Sequence, residues 1–250
     1  MAEIPARLPF EERLRLWHGE IWHTARGRII RDIVYAIDTG LVTTVSFLAG
    51  ISISLVEKER VIAASLIQVA SGTLAIFFGS YISTKAQKHF FENQIERERR
   101  EIEEKPEKER QEIRQVMSEF GFTGEEQEMA VRRITADKEC WLRFMVQEEI
   151  GISPGMIDNP VEIGFVSAFS FLVGALPALL PFFLLASVKT ALAVSALTVF
   201  LFLFSLGVFK ARITKIRWLY SGLETLFFGL LSSGSGFLMG RMINLYFLRN

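Results

Sequence analysis

The stretch VEIGFVSAFSFLVGALPALLPFFLLASVKTALAVSALTVFLFLFSLGVF, residues 161–209, carries charge only at Glu162 and Lys189. A bilayer crossing takes roughly 20 apolar residues, so this run is too long for one crossing and about right for two. The division is expected near Pro177, Pro181 and Lys189. Further apolar runs give five spans in all, at about 33–55, 61–84, 161–186, 188–209 and 221–247. Apolar residues make up 50% of the 250, Phe alone counts 22, and 28 basic residues balance 28 acidic ones. The charge is unevenly spread: 17 acidic and 13 basic residues fall between Lys85 and Gly151. The expected fold class is all-α, an integral membrane bundle of five transmembrane helices with a polar helical domain between the second and third spans.

Four parts follow: an interfacial amphipathic helix over residues 1–30, spans one and two over 31–85, the polar domain over 86–158, and spans three to five over 159–250. Gly72, Gly79, Gly164, Gly174, Gly229, Gly234, Gly236 and Gly240 lie in the spans, where small residues permit close helix contact. Arg26, Arg28 and Arg31 precede the first span, Lys85 and Lys88 follow the second, and Lys210, Arg212, Lys215 and Arg217 join the fourth to the fifth. By the positive-inside rule these flanks, the N-terminus and the polar domain share the cytoplasmic side. The N-terminus lacks the charged-then-apolar pattern of a cleaved signal peptide, so the first span is expected to direct insertion. Trp17, His18, Trp22 and His23 suit an amphipathic helix at the headgroup level better than a metal site.

The polar domain reads as helices with clear punctuation. The second span continues as one long helix to Lys105-Pro106, where proline removes a backbone donor. A second helix runs to Phe120, Thr123 with Glu126 makes a capping-box start for a third, and Asp137 caps a fourth bearing Trp141, Phe144 and Met145. Cys140 is the single cysteine, which excludes an internal disulfide, and it is expected to be a small buried hydrophobe.

Glu98 with Glu101, and Glu109 with Glu112, are each three apart on successive helices, while Met145 and Glu149 are four apart on the last. If the Pro106 break folds the first two helices antiparallel, five carboxylates and a thioether converge. Hard oxygens suit Mg, Ca, Mn and Fe(II), and a soft sulfur tilts the set toward Fe(II) or Mn(II). Spacing alone leaves a second reading open, a solvated face interleaved with Arg97, Arg99, Arg100 and Arg110 as i,i+4 pairs. A ferritin-like di-iron centre needs Glu-x-x-His, and the only histidine of this domain, His89, has Ala86 three residues before it.

Several ordered motifs bear a family likeness: RDIVYAIDTGLVTT (31–44), FLAG (47–50), Ser83-Thr84-Lys85, ERERREIEE (96–104), WLRFMVQEEIG (141–151), Asn159-Pro160, FLVGALP (171–177) and SGLETLFFG (221–229). From about Arg31 to Arg241 the chain resembles the vacuolar iron transporter family, membrane exporters of Fe(II) and, in some members, Mn(II). The resemblance implies five spans, a homodimer, and a cytoplasmic metal-binding domain between the second and third spans. It also implies metal ligands at Glu98, Glu101, Glu109, Glu112, Met145 and Glu149. A second family methionine falls on Val146. In the spans the family aspartate falls on Thr39, with Asp38 one residue earlier, about 100° around the helix. A path methionine falls on Ile76, and acidic positions fall on Gly72 and Ser80.

An ionisable residue inside a span is costly and usually functional, which makes Asp38, with Thr39 and Thr43, the candidate transport path. Its alternative is an interfacial carboxylate paired with Arg31 or a lysine; Asp32 and Glu224 read as structural. The expected function is a secondary transporter taking Fe(II), with Mn(II) as a second cargo, out of the cytosol in exchange for protons. The alternative is a membrane-anchored metal binder or sensor that has lost transport. The expected partners are metal ions, protons, the lipid bilayer and a second copy of the chain, with no nucleic acid. The metal is cargo rather than cofactor, and the membrane is a prokaryotic cell membrane or a vacuolar-type one. No nucleotide-binding loop, nucleophile triad or dinucleotide fingerprint points to an enzyme.

Overall fold

The computed structural model describes residues 25–53, 57–151 and 157–248. The expected N-terminal cluster of Trp17, His18, Trp22 and His23 lies outside these residues. Eight α-helices are described: α1 (Ala25–Ile51), α2 (Lys58–Glu104), α3 (Pro106–Glu119), α4 (Gly124–Ile134), α5 (Lys138–Glu148), α6 (Pro160–Leu184), α7 (Val188–Thr214) and α8 (Trp218–Ile243), followed by a π-helical turn at Asn244–Leu248. No strand occurs among the described residues. The chain divides into two compact units, one holding Ser83–Asn159, the other Arg26–Ile82 with Pro160–Asn250.

In the second unit α1, α6, α7, α8 and the first part of α2 are long and apolar enough to cross a membrane. Its core is aliphatic and aromatic: Leu41, Val45, Leu48, Val61, Val69, Phe171, Leu179, Phe182, Val199 and Leu203 are buried together. Leu66, Ile67, Leu74 and Phe78 on α2, and Phe165, Phe169 and Leu176 on α6, stand exposed. So much outward apolar surface suits acyl chains rather than water. The protein is an all-α, multi-pass membrane protein.

Close packing rests on small residues. A Cβ at Gly40 would strike the carbonyl of Phe171, one at Gly174 the carbonyl of Ile37, and one at Gly240 the backbone of Gly50. Thus α1 meets α6 and α8 backbone to backbone, as the glycine content of the spans leads one to expect.

The third and fourth spans end and begin close to the expected 186 and 188, on the Lys189 side of the marked division rather than at its prolines. Pro177 and Pro181 both lie inside α6, and the break falls after Leu184. Proline at 181 leaves the Pro177 carbonyl without its helical donor. Thr198 Oγ1 on α7 lies 3.0 Å from that carbonyl, and Ser195 Oγ donates to Ala178 O at 2.7 Å. The Thr198 hydroxyl thus lies within hydrogen-bond reach of the carbonyl that Pro181 releases.

The other unit is a four-helix arrangement of the end of α2 with α3, α4 and α5. Its core holds Ile102, Ile113, Met117, Val131, Trp141, Leu142, Met145 and Val146. The reversal between α2 and α3 is made at Lys105, with Pro106 in the first helical turn, where its missing N–H costs nothing. Asp137 caps α5, its side chain accepting from Cys140 N at 2.8 Å. Thr123 precedes α4 as expected but makes no side-chain cap bond, so the anticipated capping box is absent. Cys140 is exposed rather than buried, because Trp141 and Leu142 take the inward positions at the start of α5.

Candidate metal centre

The apolar stripe along the end of α2 passes through Ile95, Glu98 and Ile102, and that of α3 through Glu109, Ile113 and Met117. Two glutamates therefore occupy positions that packing would otherwise give to leucine. Glu98 is 3% exposed and Glu109 is 0% exposed. Burying a carboxylate without a partner is expensive, yet no amide, hydroxyl or cationic donor hydrogen-bonds Glu98 Oε1 or either oxygen of Glu109. Glu149, at the C-terminal cap of α5, completes a trio whose oxygens lie within 4.8 Å of one another.

The outer members differ. Glu101 is paired with Arg97 at 3.1 Å, and Glu112 with Lys108 at 2.6 Å, while Glu112 Oε2 is buried and unpartnered. Met145 is 1% exposed and lies one turn before Glu149, whose backbone N–H donates to Met145 O. Val146, in the position of the second methionine, is buried in the same core.

The electrostatics follow from this crowding. Burial, and next the charge of Glu149, pushes Glu98 up to about 7. Burial, then a hydrogen bond and charge from Glu112, pushes Glu109 up to about 8. Glu149 is raised as well, by burial and by Glu112. Like charges in one low-dielectric site cannot all ionise, so the group holds protons near neutrality and titrates as a unit. A divalent cation bound there would supply the missing positive charge and expel those protons. At pH 7, Mn(II) binding is expected to release about one to two protons, and affinity is expected to rise from pH 6 to 8.5. Calorimetry in buffers of differing ionisation enthalpy measures this; an enthalpy that does not change with buffer would sink it.

In the membrane-spanning unit Asp38 lines a cavity of about 600 Å³ with Arg31, Tyr35, Lys210, Glu224 and Thr225. In that lining Arg31 is bridged to Asp32 at 2.9 Å and Lys210 to Glu224 at 3.1 Å. Thr39 and Thr43 are not among the residues lining it. Their hydroxyls donate back to the helix, to Tyr35 O at 2.7 Å and Thr39 O at 2.6 Å, and keep their oxygen lone pairs. Gly72 faces the ring of Phe171, and Ile76 packs on the apolar core. From sequence Lys210 was read only as a basic flank and Tyr35 was not singled out, since only the helix packing brings them to the Asp38 cavity.

The chain is 26% identical over 233 residues to vacuolar iron transporter 1 of Arabidopsis thaliana, covering 93% of each protein. It is 28% identical to vacuolar iron transporter 2 of Oryza sativa subsp. japonica, covering 93% of this chain and 95% of the relative. It is 26% identical to vacuolar iron transporter 1 of Tulipa gesneriana, covering 97% and 98% respectively. The VIT family's sequence model matches residues 30–241, nearly the whole length, and the chain belongs to the VIT family.

Proposed function

We propose that this protein carries Fe(II), with Mn(II) as a second cargo, out of the cytosol across a membrane in exchange for protons. The supporting observation is the trio Glu98, Glu109 and Glu149, one oxygen of each within 4.8 Å of the others, in which Glu98 and Glu109 hold buried oxygens with no amide, hydroxyl or cationic donor. With Glu101, Glu112 and Met145 they offer hard oxygens and one soft sulfur, a set suited to Fe(II) and Mn(II) over Ca and Mg. The relatives' names point the same way. The basic flanks put the polar domain and the N-terminus on the cytosolic side. The domain would load the ion, Asp38 would receive it or carry the proton, and two copies would form the working unit.

A second reading, an anchored binder without flux, draws on the Phe171 ring set against Gly72 and on apolar Ile76. Proteoliposomes with an acidic lumen and a metal-sensitive dye separate the two. Transport predicts Mn(II) uptake that a protonophore collapses and that Asp38→Asn reduces at least about tenfold, as expected for an essential ionisable group within a span. Tight binding with no uptake would favour the anchored binder and overturn the transporter.

A further inference from the structure

The two outer carboxylates each carry a cation from one turn away on their own helix. Arg97 Nε is 3.1 Å from Glu101 Oε1 on α2, and Lys108 Nζ is 2.6 Å from Glu112 Oε1 on α3. The same ammonium lies 3.9 Å from Glu109 Oε1, an atom of the inner trio. Inner and outer groups thus differ in how they are held: Glu98 Oε1 and both Glu109 oxygens have no hydrogen-bond donor, while one oxygen each of Glu101 and Glu112 is hydrogen-bonded by a cation.

We propose that Lys108 and Arg97 are tethered competitor cations, occupying Glu112 and Glu101 until a divalent ion displaces them. This rests on the metal-loading reading above. A dication held by Glu98, Glu109 and Glu149 is repelled by an ammonium next to Glu109, and Glu112 can bring both of its oxygens to the ion only by giving up Lys108, which holds Oε1. Both effects weaken binding and speed release. A cluster that hands its ion onward needs this, because six ligands with no competitor would hold a transition metal too long. The tether also discriminates by valence: a monovalent cation gains little by displacing another monovalent cation, whereas a dication gains twice the Coulomb attraction.

An ordinary helix-stabilising pair makes the opposite prediction. If Lys108 and Arg97 only support their helices, removing them leaves metal affinity unchanged or lowers it. On the competitor reading Lys108→Gln tightens Mn(II) binding, by about 5- to 10-fold given the modest strength of exposed pairs, and slows dissociation by a similar factor. Lys108→Arg, which keeps the charge, restores wild-type affinity, and Arg97→Gln adds a smaller gain. The measurement is Mn(II) titration and stopped-flow release with the purified full chain at pH 8.5. Equal or weaker binding by Lys108→Gln, with wild type binding normally, overturns the competitor role alone. Wild type binding no better than a chain lacking Glu98 and Glu109 overturns the loading site and this inference together.

Discussion

Replacing Glu98 and Glu109 together by glutamine is expected to lower Mn(II) and Fe(II) affinity by on the order of a thousandfold while leaving the helical content intact. Groups that merely orient a metal's ligands cost 10- to 100-fold when changed, and direct ligands cost at least as much. Glutamine keeps the size of glutamate and one acceptor oxygen but removes the charge. The fold should tolerate this better than most core changes. Both carboxylates sit in an apolar stripe at 3% and 0% exposure, raised to about 7 and about 8 by burial and crowding. Above those values the metal-free protein carries buried charge that no amide, hydroxyl or cationic hydrogen-bond donor offsets, and the double variant does not. Its metal-free melting temperature at pH 8.5 should therefore equal or exceed that of wild type, whereas added Mn(II) should raise only the wild type. Loss of binding could then not be ascribed to unfolding. Undiminished affinity in the double variant would remove the metal centre from these residues.

The outline of this centre could be read from sequence, but its inner order could not. Glu98, Glu101, Glu109, Glu112 and Glu149 were candidates by type and spacing, and Pro106 marked the turn between the first two helices. Residues three apart on a helix still differ by about 60°. That angle is enough for packing to bury Glu98 beside Ile102 while Glu101 turns to Arg97. A signal was present: glutamate interrupts the apolar stripes Ile95–Ile102 and Glu109–Met117 at core positions, where a carboxylate without purpose is rarely kept. The spans were legible because a bilayer imposes length and apolarity together. The hydroxyls of Ser195 and Thr198 that bond the proline-containing segment were not, since they come from a neighbouring helix. The surroundings of Asp38 were hidden for the same reason. Lys210 and Glu224 reach it from α7 and α8, far along the chain.

Gly174→Leu is expected to be the most damaging single change in the membrane-spanning unit. A Cβ at Gly174 would fall on the Ile37 carbonyl, and Gly40 on the opposing helix is closed in the same way by the Phe171 carbonyl. Backbone cannot step aside as a flexible side chain can, so α1 and α6 would have to separate along the whole crossing. Overpacking a tight core costs about 1–3 kcal/mol where side chains can adjust; a backbone clash belongs at or above the upper end. Buried Ala36, Leu41, Ala175 and Ala178 flank the crossing, so separation would also open the apolar core around Phe171. Gly79→Leu is the contrast. Nothing lies within 4 Å of a Cβ there, and leucine is the better helix former by about 1 kcal/mol. In detergent, Gly174→Leu should lower the melting temperature by roughly 5–10 °C and broaden the size-exclusion peak, while Gly79→Leu should melt at or above wild type. Equal tolerance of both substitutions would mean that the α1–α6 contact does not hold the bundle together.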